Sequence, residues 1–200
     1  MTTSDATNAD PRLQPPGAGL PGPELFILRR IIFPLACRRL DWAAAEALFR
    51  DEGNTILALW DALPPDRLTE QVLIRRLRGI EDSSRHWSAA MTVEHLNIVG
   101  AGIRGIIAGL RRGEVPDRVT RVADVKPTGS IAPAEVRAAF MKLLADTAAN
   151  EPPIARGVGV RYKHPWFGPL DAFEWHCLLG IHQRIHRKQL EAIIGGLGVA

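Results

Sequence analysis

The sequence is short of several things at once. Of its 200 residues only two are cysteine, Cys37 and Cys177, and only four are lysine. Two isolated thiols exclude a disulfide framework and a zinc ribbon, both of which need more cysteines at close spacing, and we expect both to be reduced and buried. No CxxC, P-loop or GxSxG arrangement occurs, so the chain offers neither the P-loop phosphate cradle nor the nucleophile elbow that mark two of the commoner enzyme classes. Long apolar runs are missing as well. The stretch Leu25 to Leu40 is broken by Arg29, Arg30, Arg38 and Arg39 and falls far short of the ~20 unbroken apolar residues of a transmembrane helix. A basic start followed by an apolar segment and a small-residue cleavage site is also lacking, so the expectation is a cytoplasmic protein with no membrane partner.

The charge is modest, with a net +3 and a sequence pI near 9.2. The basic residues are scattered and rarely interleaved with aromatics, which argues against a nucleic-acid partner. Arginine supplies 21 of the 25 basic residues, and with abundant Ala and Gly this reads as the bias of a GC-rich genome. A hydrophobic fraction of 46% with 24% charged residues fits one compact domain. Residues 1–23, rich in Pro, Gly, Ala, Ser and Thr, cannot repay the entropy of ordering and are expected to be a disordered tail. The domain is then 24–200.

From residue 24 the pattern turns helical. Leu25, Leu28, Ile32 and Leu35 predict a short helix disturbed at Pro34. Asp41 is a good N-cap for a helix from Trp42 to Leu63, stopped by Pro64 and Pro65. Residues 66–80 predict a short helix with Leu68, Val72 and Leu77 inward. Ser88 to Leu110 reads as a long helix with Gly113 beyond its end. In the polar connection from Pro116 to Pro133, the Arg121 to Val125 stretch suggests a strand. Ala134 to Ala148 and Leu170 to Ile194 complete the helices. Long helices with little strand signal predict an all-α bundle.

Chemistry is concentrated in the histidines. His182 and His186 are four apart, so they lie about 40° from one another on a helix surface, one turn along its axis. Centred on His182, the apolar Trp175, Leu178, Leu179, Ile185 and Ile193 share the stripe, while Arg184, Arg187, Lys188 and Glu191 lie opposite. The same projection centred on His95 gathers Met91, Ile98, Val99, Ile103 and Ile106. All three imidazoles therefore point into the bundle. A buried ring nitrogen without a partner costs about 1–3 kcal/mol, and a metal ion supplies one partner to all three. Three neutral His ligands leave a divalent ion its full charge and an open position. The alternative is a non-catalytic bundle in which the histidines bind a structural metal or hydrogen-bond one another.

A ligating His usually donates its other N–H to a carboxylate, carbonyl or water. Glu94, Asp171, Glu174 and Gln189 are the candidates for that role, although each carboxylate also has a reading as a helix-end or surface group. Trp87, Met91, Val99, Trp175 and Leu179 are the candidate pocket wall. His176 projects to the side of its helix, where exposure or a local bond is expected, and His86 and His164 precede helices near a bundle mouth.

Two segments carry a resemblance. RHWSAAMTVEHL (Arg85 to Leu96) is similar to the WS...EHL segment of the DinB/YfiT-like metalloenzyme superfamily, and HPWFGPLDAFEWHCLLGIHQRIHRKQL (His164 to Leu190) to its last helix, with HxxxH and a following Gln. The resemblance covers roughly residues 42–194. It implies an up-and-down four-helix bundle, here with an extra N-terminal helical segment, and a metal triad of one His on the second helix and two on the fourth: His95, His182 and His186. It further implies a metal-dependent hydrolase or a transferase using a low-molecular-weight thiol, acting on a small electrophilic substrate. Zinc is the expected metal because imidazole suits it, with nickel, iron or manganese as alternatives. Arginines near the mouth are then expected to hold the carboxylates of the thiol. A homodimer is the expected assembly if there is one.

Overall fold

The computed structural model describes residues 12–147 and 152–199 and is mainly helical. Two short helices, α1 (Gly22–Ile27) and α2 (Phe33–Arg39), are joined by a π turn at Leu28–Ile32. The wide turn sits where Pro34 enters the helix without a backbone N–H, so the expected disturbance takes the form of a π bulge rather than a break. The long helices are α3 (Trp42–Asp61), α4 (Ala89–Arg111), α5 (Pro133–Thr147) and α6 (Ala172–Leu197). Helix α6 packs on α3 and α4, and α5 packs on α4 and α3.

The caps explain where these helices begin. Asp41 accepts a hydrogen bond from the Ala44 amide at 2.7 Å, and Ser88 accepts one from the Met91 amide at 3.1 Å. At α6 the cap is reciprocal: Asp171 accepts from the Glu174 amide and Glu174 from the Asp171 amide. Helix α6 passes through Gly195 and Gly196, beyond the expected end at Ile194, and stops only at Gly198, whose φ of 65° is left-handed. Gly180 lets α6 approach α3 closely, because a Cβ there would lie 2.9 Å from the Phe49 backbone nitrogen.

Two expectations for the connections are corrected. Residues 66–80 do not form a helix. Their segment contains a 3-10 turn, Pro65–Arg67, and the strand β1 (Val72–Leu73), which pairs antiparallel with β2 (His86–Trp87). Leu68 and Ile74 are buried and supply the anchoring that a helical face was expected to supply. Arg121 to Val125 is not a strand but a 3-10 turn over Val122–Val125, with Asp124 folding back onto the Arg121 amide. A second hairpin, β3 (Tyr162–His164) with β4 (Gly168–Leu170), leads into α6.

Within the segment expected to be a tail, residues 14–20 lie against the 81–82 turn. The Gly17 and Gly19 amides donate to the Glu81 carboxylate, the Gln14 amide donates to Asp82, and Leu20 is buried. Residues 1–11 and Ala148, the expected end of α5, lie outside the described residues. Both cysteines are free and buried, and a hydrogen bond with Cys37 together with burial pushes the Cys177 thiol up. Among the described residues no helix is long and apolar enough to cross a membrane.

Candidate metal centre

Helix α4 delivers His95 and helix α6 delivers His182 and His186 to one point. One ring nitrogen from each lies within 4.8 Å of the others, so the three could hold a metal ion. His95 Nε2 faces His182 Nε2 at 3.3 Å, and the His95 and His186 ring centroids are 4.6 Å apart. Trp87 closes one side, with its ring 5.1 Å from that of His95 and stacked at 6.2 Å on that of His186.

The hydrogen bonds decide which nitrogens are free to ligate. His95 Nδ1 lies 2.7 Å from the Val125 carbonyl, which can only accept, so Nδ1 carries the proton and Nε2 presents its lone pair inward. His186 is set through one more step. Gln189 Nε2 donates to the Ser84 carbonyl at 2.7 Å, which turns the amide so that its Oε1 accepts from His186 Nδ1 at 2.6 Å. His186 Nε2 is thereby left as a lone pair too.

Burial reinforces this. It takes the His95 pKa down to about 4, and it holds His182 and His186 well below the ordinary histidine value, with the neighbouring histidines adding to the effect. Neutral rings, two of them with preset inward lone pairs, packed together in an apolar site, form a donor set that suits a divalent transition metal.

The other candidates separate cleanly. Gln189 is the only one of the four expected supporting residues that bonds a cluster histidine among the described residues. Glu94 instead accepts from the Thr128 amide and hydroxyl and from the Gly129 amide, pinning the connection above α4. Asp171 is spent on the Glu174 and Gly157 amides, and Glu174 pairs with Arg161. Their reading as partners of the histidines is therefore corrected. All three carboxylates sit where a helix end or a loop offers unpaired amides, and those donors claim them.

A cavity of about 200 Å³ opens onto the cluster. Val99 and Trp175 line it as expected. Leu179 does not, since its neighbour Leu178 takes that position, and Met91 and Trp87 lie outside the lining. Met91 instead packs toward the Gln71 side chain. The N-terminal segment contributes Leu28, Ile32 and Phe33, with Phe33 stacked on Phe167 at 4.5 Å.

His176 is corrected as well: it is buried, its Nε2 lies 3.1 Å from the Trp42 carbonyl on α3, and its ring stacks on Trp42 at 3.8 Å. His86 is on β2, outside the cluster.

Three groups were left out of the expected site, although His164 was placed near a bundle mouth. His164 lines the cavity; its Nδ1 accepts from the Trp166 and Phe167 amides, and burial takes its pKa down to about 3. Lys126 also lines it, donating to Ser83 Oγ and Ser84 Oγ and pairing with Glu81 at 3.2 Å; burial lowers its pKa, partly offset by Glu81. The third group is the Val125 carbonyl that fixes His95. Pro165 after His164 marked a turn but gave no depth, and a carbonyl has no signature in residue type.

No protein-family model, curated protein or solved structure matches the chain.

Proposed function

We propose that the chain is a metal-dependent enzyme in which His95, His182 and His186 hold one divalent ion, zinc by preference, and that its reaction is hydrolysis of a small electrophilic substrate. The observation that carries this reading is the pair of preset lone pairs at His95 and His186, facing a third ring at the end of a cavity. A closed structural site needs no such opening. When bound, the ion would supply Lewis acidity, which polarises a carbonyl and acidifies water near neutral pH. The chain's own part is to fix two ring tautomers through Val125 and Gln189 and to keep bulk water from the rings with Trp87 and the apolar wall.

The likeness of RHWSAAMTVEHL and of the last helix to the DinB/YfiT-like superfamily supports the same three residues, and we extend the proposal to membership of that group and to an up-and-down arrangement of α3 to α6. Hydrolysis is preferred over thiol transfer for one reason. The cations that line the cavity among the described residues are Arg121 and Lys126, and each is already paired, with Asp124 and Glu81 respectively. Lys126 is buried against Glu81 and Arg121 lies exposed on Asp124, so neither is a buried cation set aside for the carboxylates of a thiol cofactor, where the arginines were expected to serve.

Metal-loaded protein is to be assayed against a panel of small esters and amides, beside His182→Ala/His186→Ala. We expect hydrolysis that is lost in the double variant while its far-UV spectrum and melting remain those of a folded protein. Unfolding of the variant on loss of metal would instead mark a structural ion in a non-catalytic bundle.

A further inference from the structure

The cavity that ends at the histidines is walled almost entirely by carbon. Ile98, Ile103 and Ile106 come from α4, Leu178 and Ile181 from α6, and Ile32 from the N-terminal segment. Its lining charges, Glu81, Lys126 and Arg121, are spent on one another or on Asp124. A sugar, nucleotide or amino acid entering here would lose its hydration and find few partners, and burying a polar group that way is unfavourable.

Three features of the wall bear on what the space accepts, with Gly102 on its exposed side. Gly102 lines the cavity in the middle of α4, where glycine disfavours the helix, and a Cβ built there would meet nothing within 4 Å. Trp175, 3% exposed and on the cavity wall, keeps its indole N–H without an acceptor among the described residues. Beside it, with ring centroids 5.3 Å apart, stands His164. Its Nδ1 already accepts two backbone amides, which leaves the proton on Nε2. A buried donor like the Trp175 indole is ordinarily satisfied.

From these features we infer that the cavity takes an uncharged compound with an apolar aliphatic or aromatic body and one hydrogen-bond acceptor, seated with its reactive end at the histidine cluster. The orientation rests on the proposed metal-dependent reading; the apolar character of the ligand does not. The acceptor supplies the partner that the Trp175 indole lacks, the body fills the space over Gly102, and the compound class is that of alkyl or aryl esters and amides. The N-terminal segment is then part of the binding wall, not an appendage.

The test uses zinc-loaded full-length protein and straight-chain alkyl hydroxamates from two to eight carbons, with γ-glutamyl hydroxamate as a charged control of similar reach. A metal-free sample is titrated with straight-chain alcohols of the same lengths, and binding is read by calorimetry and tryptophan fluorescence. Affinity is expected to rise about fourfold for each methylene buried until the cavity is full, in both series, with the glutamyl compound far weaker than its alkyl counterpart. Gly102→Leu, whose Cβ meets no atom within 4 Å and whose branch reaches over the cavity, is expected to abolish the chain-length dependence while the protein stays folded. Trp175→Phe is expected to weaken the alkyl hydroxamates three- to tenfold. Hydroxamates that bind with no dependence on chain length would overturn the apolar cavity and leave the metal reading standing. Alcohols that show the dependence while hydroxamates gain nothing from zinc would do the reverse. An unchanged affinity in Trp175→Phe would remove the indole from the site.

Discussion

Replacing Gln189 by Leu keeps the volume of the side chain and deletes both of its hydrogen bonds. Two buried groups then lose their partners: the Ser84 carbonyl, which received the amide at 2.7 Å, and His186 Nδ1–H, which donated at 2.6 Å. Gln189 is fully buried, so water cannot replace them. Each orphaned group costs about 1–3 kcal/mol, and with two of them the metal-free variant is expected to lose about 2–6 kcal/mol of stability in urea melts. The effect on metal has a separate origin. Without an acceptor on Nδ1, the proton of His186 is free to move to Nε2 and the ring is free to turn, which typically weakens a metal about 10- to 100-fold. Competition against a chelating dye measures this directly. Gln189→Glu provides the control, because a carboxylate still accepts from His186 but cannot donate to Ser84: it should be destabilised like the Leu variant while binding metal much more tightly than it. If Gln189→Leu bound metal as well as the parent, the hydrogen bond would not be what presets His186, and the reasoning would fail.

Three other outcomes follow from the same structure. Because His164 is held near pKa 3 when folded and near ~6.5 when unfolded, the unfolded chain binds more protons between those values. Its contribution is complete above about pH 6.5 and is lost as pH falls, at about 1.4 kcal/mol per unit. His164→Phe should therefore flatten the fall in stability of metal-free protein between pH 7 and pH 5 by about 2 kcal/mol, and an unaltered slope in urea melts would show that His164 is not neutral when folded. Gly102→Ala meets no atom within 4 Å and relieves a glycine in the middle of α4, so it should raise stability by up to about 1 kcal/mol; a loss on melting would mean the space is filled. Glu52, buried on α3, accepts from both Arg184 and Arg187 of α6, and their pull outweighs the burial that would raise its pKa. Glu52→Ala should cost about 2–3 kcal/mol, less than a fully buried pair because Arg184 is half exposed, and a change below about 0.5 kcal/mol would mark the pair as a surface contact.

What was legible in the sequence was what repeats locally. The long helices and the inward course of His95, His182 and His186 follow from a period of 3.6 residues, and Asp41, Ser88 and Asp171 mark the starts because a cap depends on neighbours a few residues away. The connections were not legible for the opposite reason. Residues 66–80 carry a weak helical pattern, yet Leu68 and Ile74 are buried by distant partners and Val72 pairs with Trp87, so tertiary contact overrides propensity there. Glu94 was expected beside His95 because it is next to it in sequence, but adjacent helical residues face different ways, and the amides of Thr128 and Gly129 claim it. His176 is buried against Trp42, 134 positions away, a distance over which no periodicity informs. The residues that set the cluster act through the Val125 and Ser84 carbonyls, and a backbone oxygen is the same in every residue.

Whether His95, His182 and His186 hold a metal ion is read by elemental analysis of untagged protein purified without added metal, with His95→Ala alongside. About one equivalent of a transition metal is expected in the parent and none in the variant. No metal in the parent, even after incubation with excess zinc, would contradict the metal reading and leave three neutral imidazoles packed together for another reason.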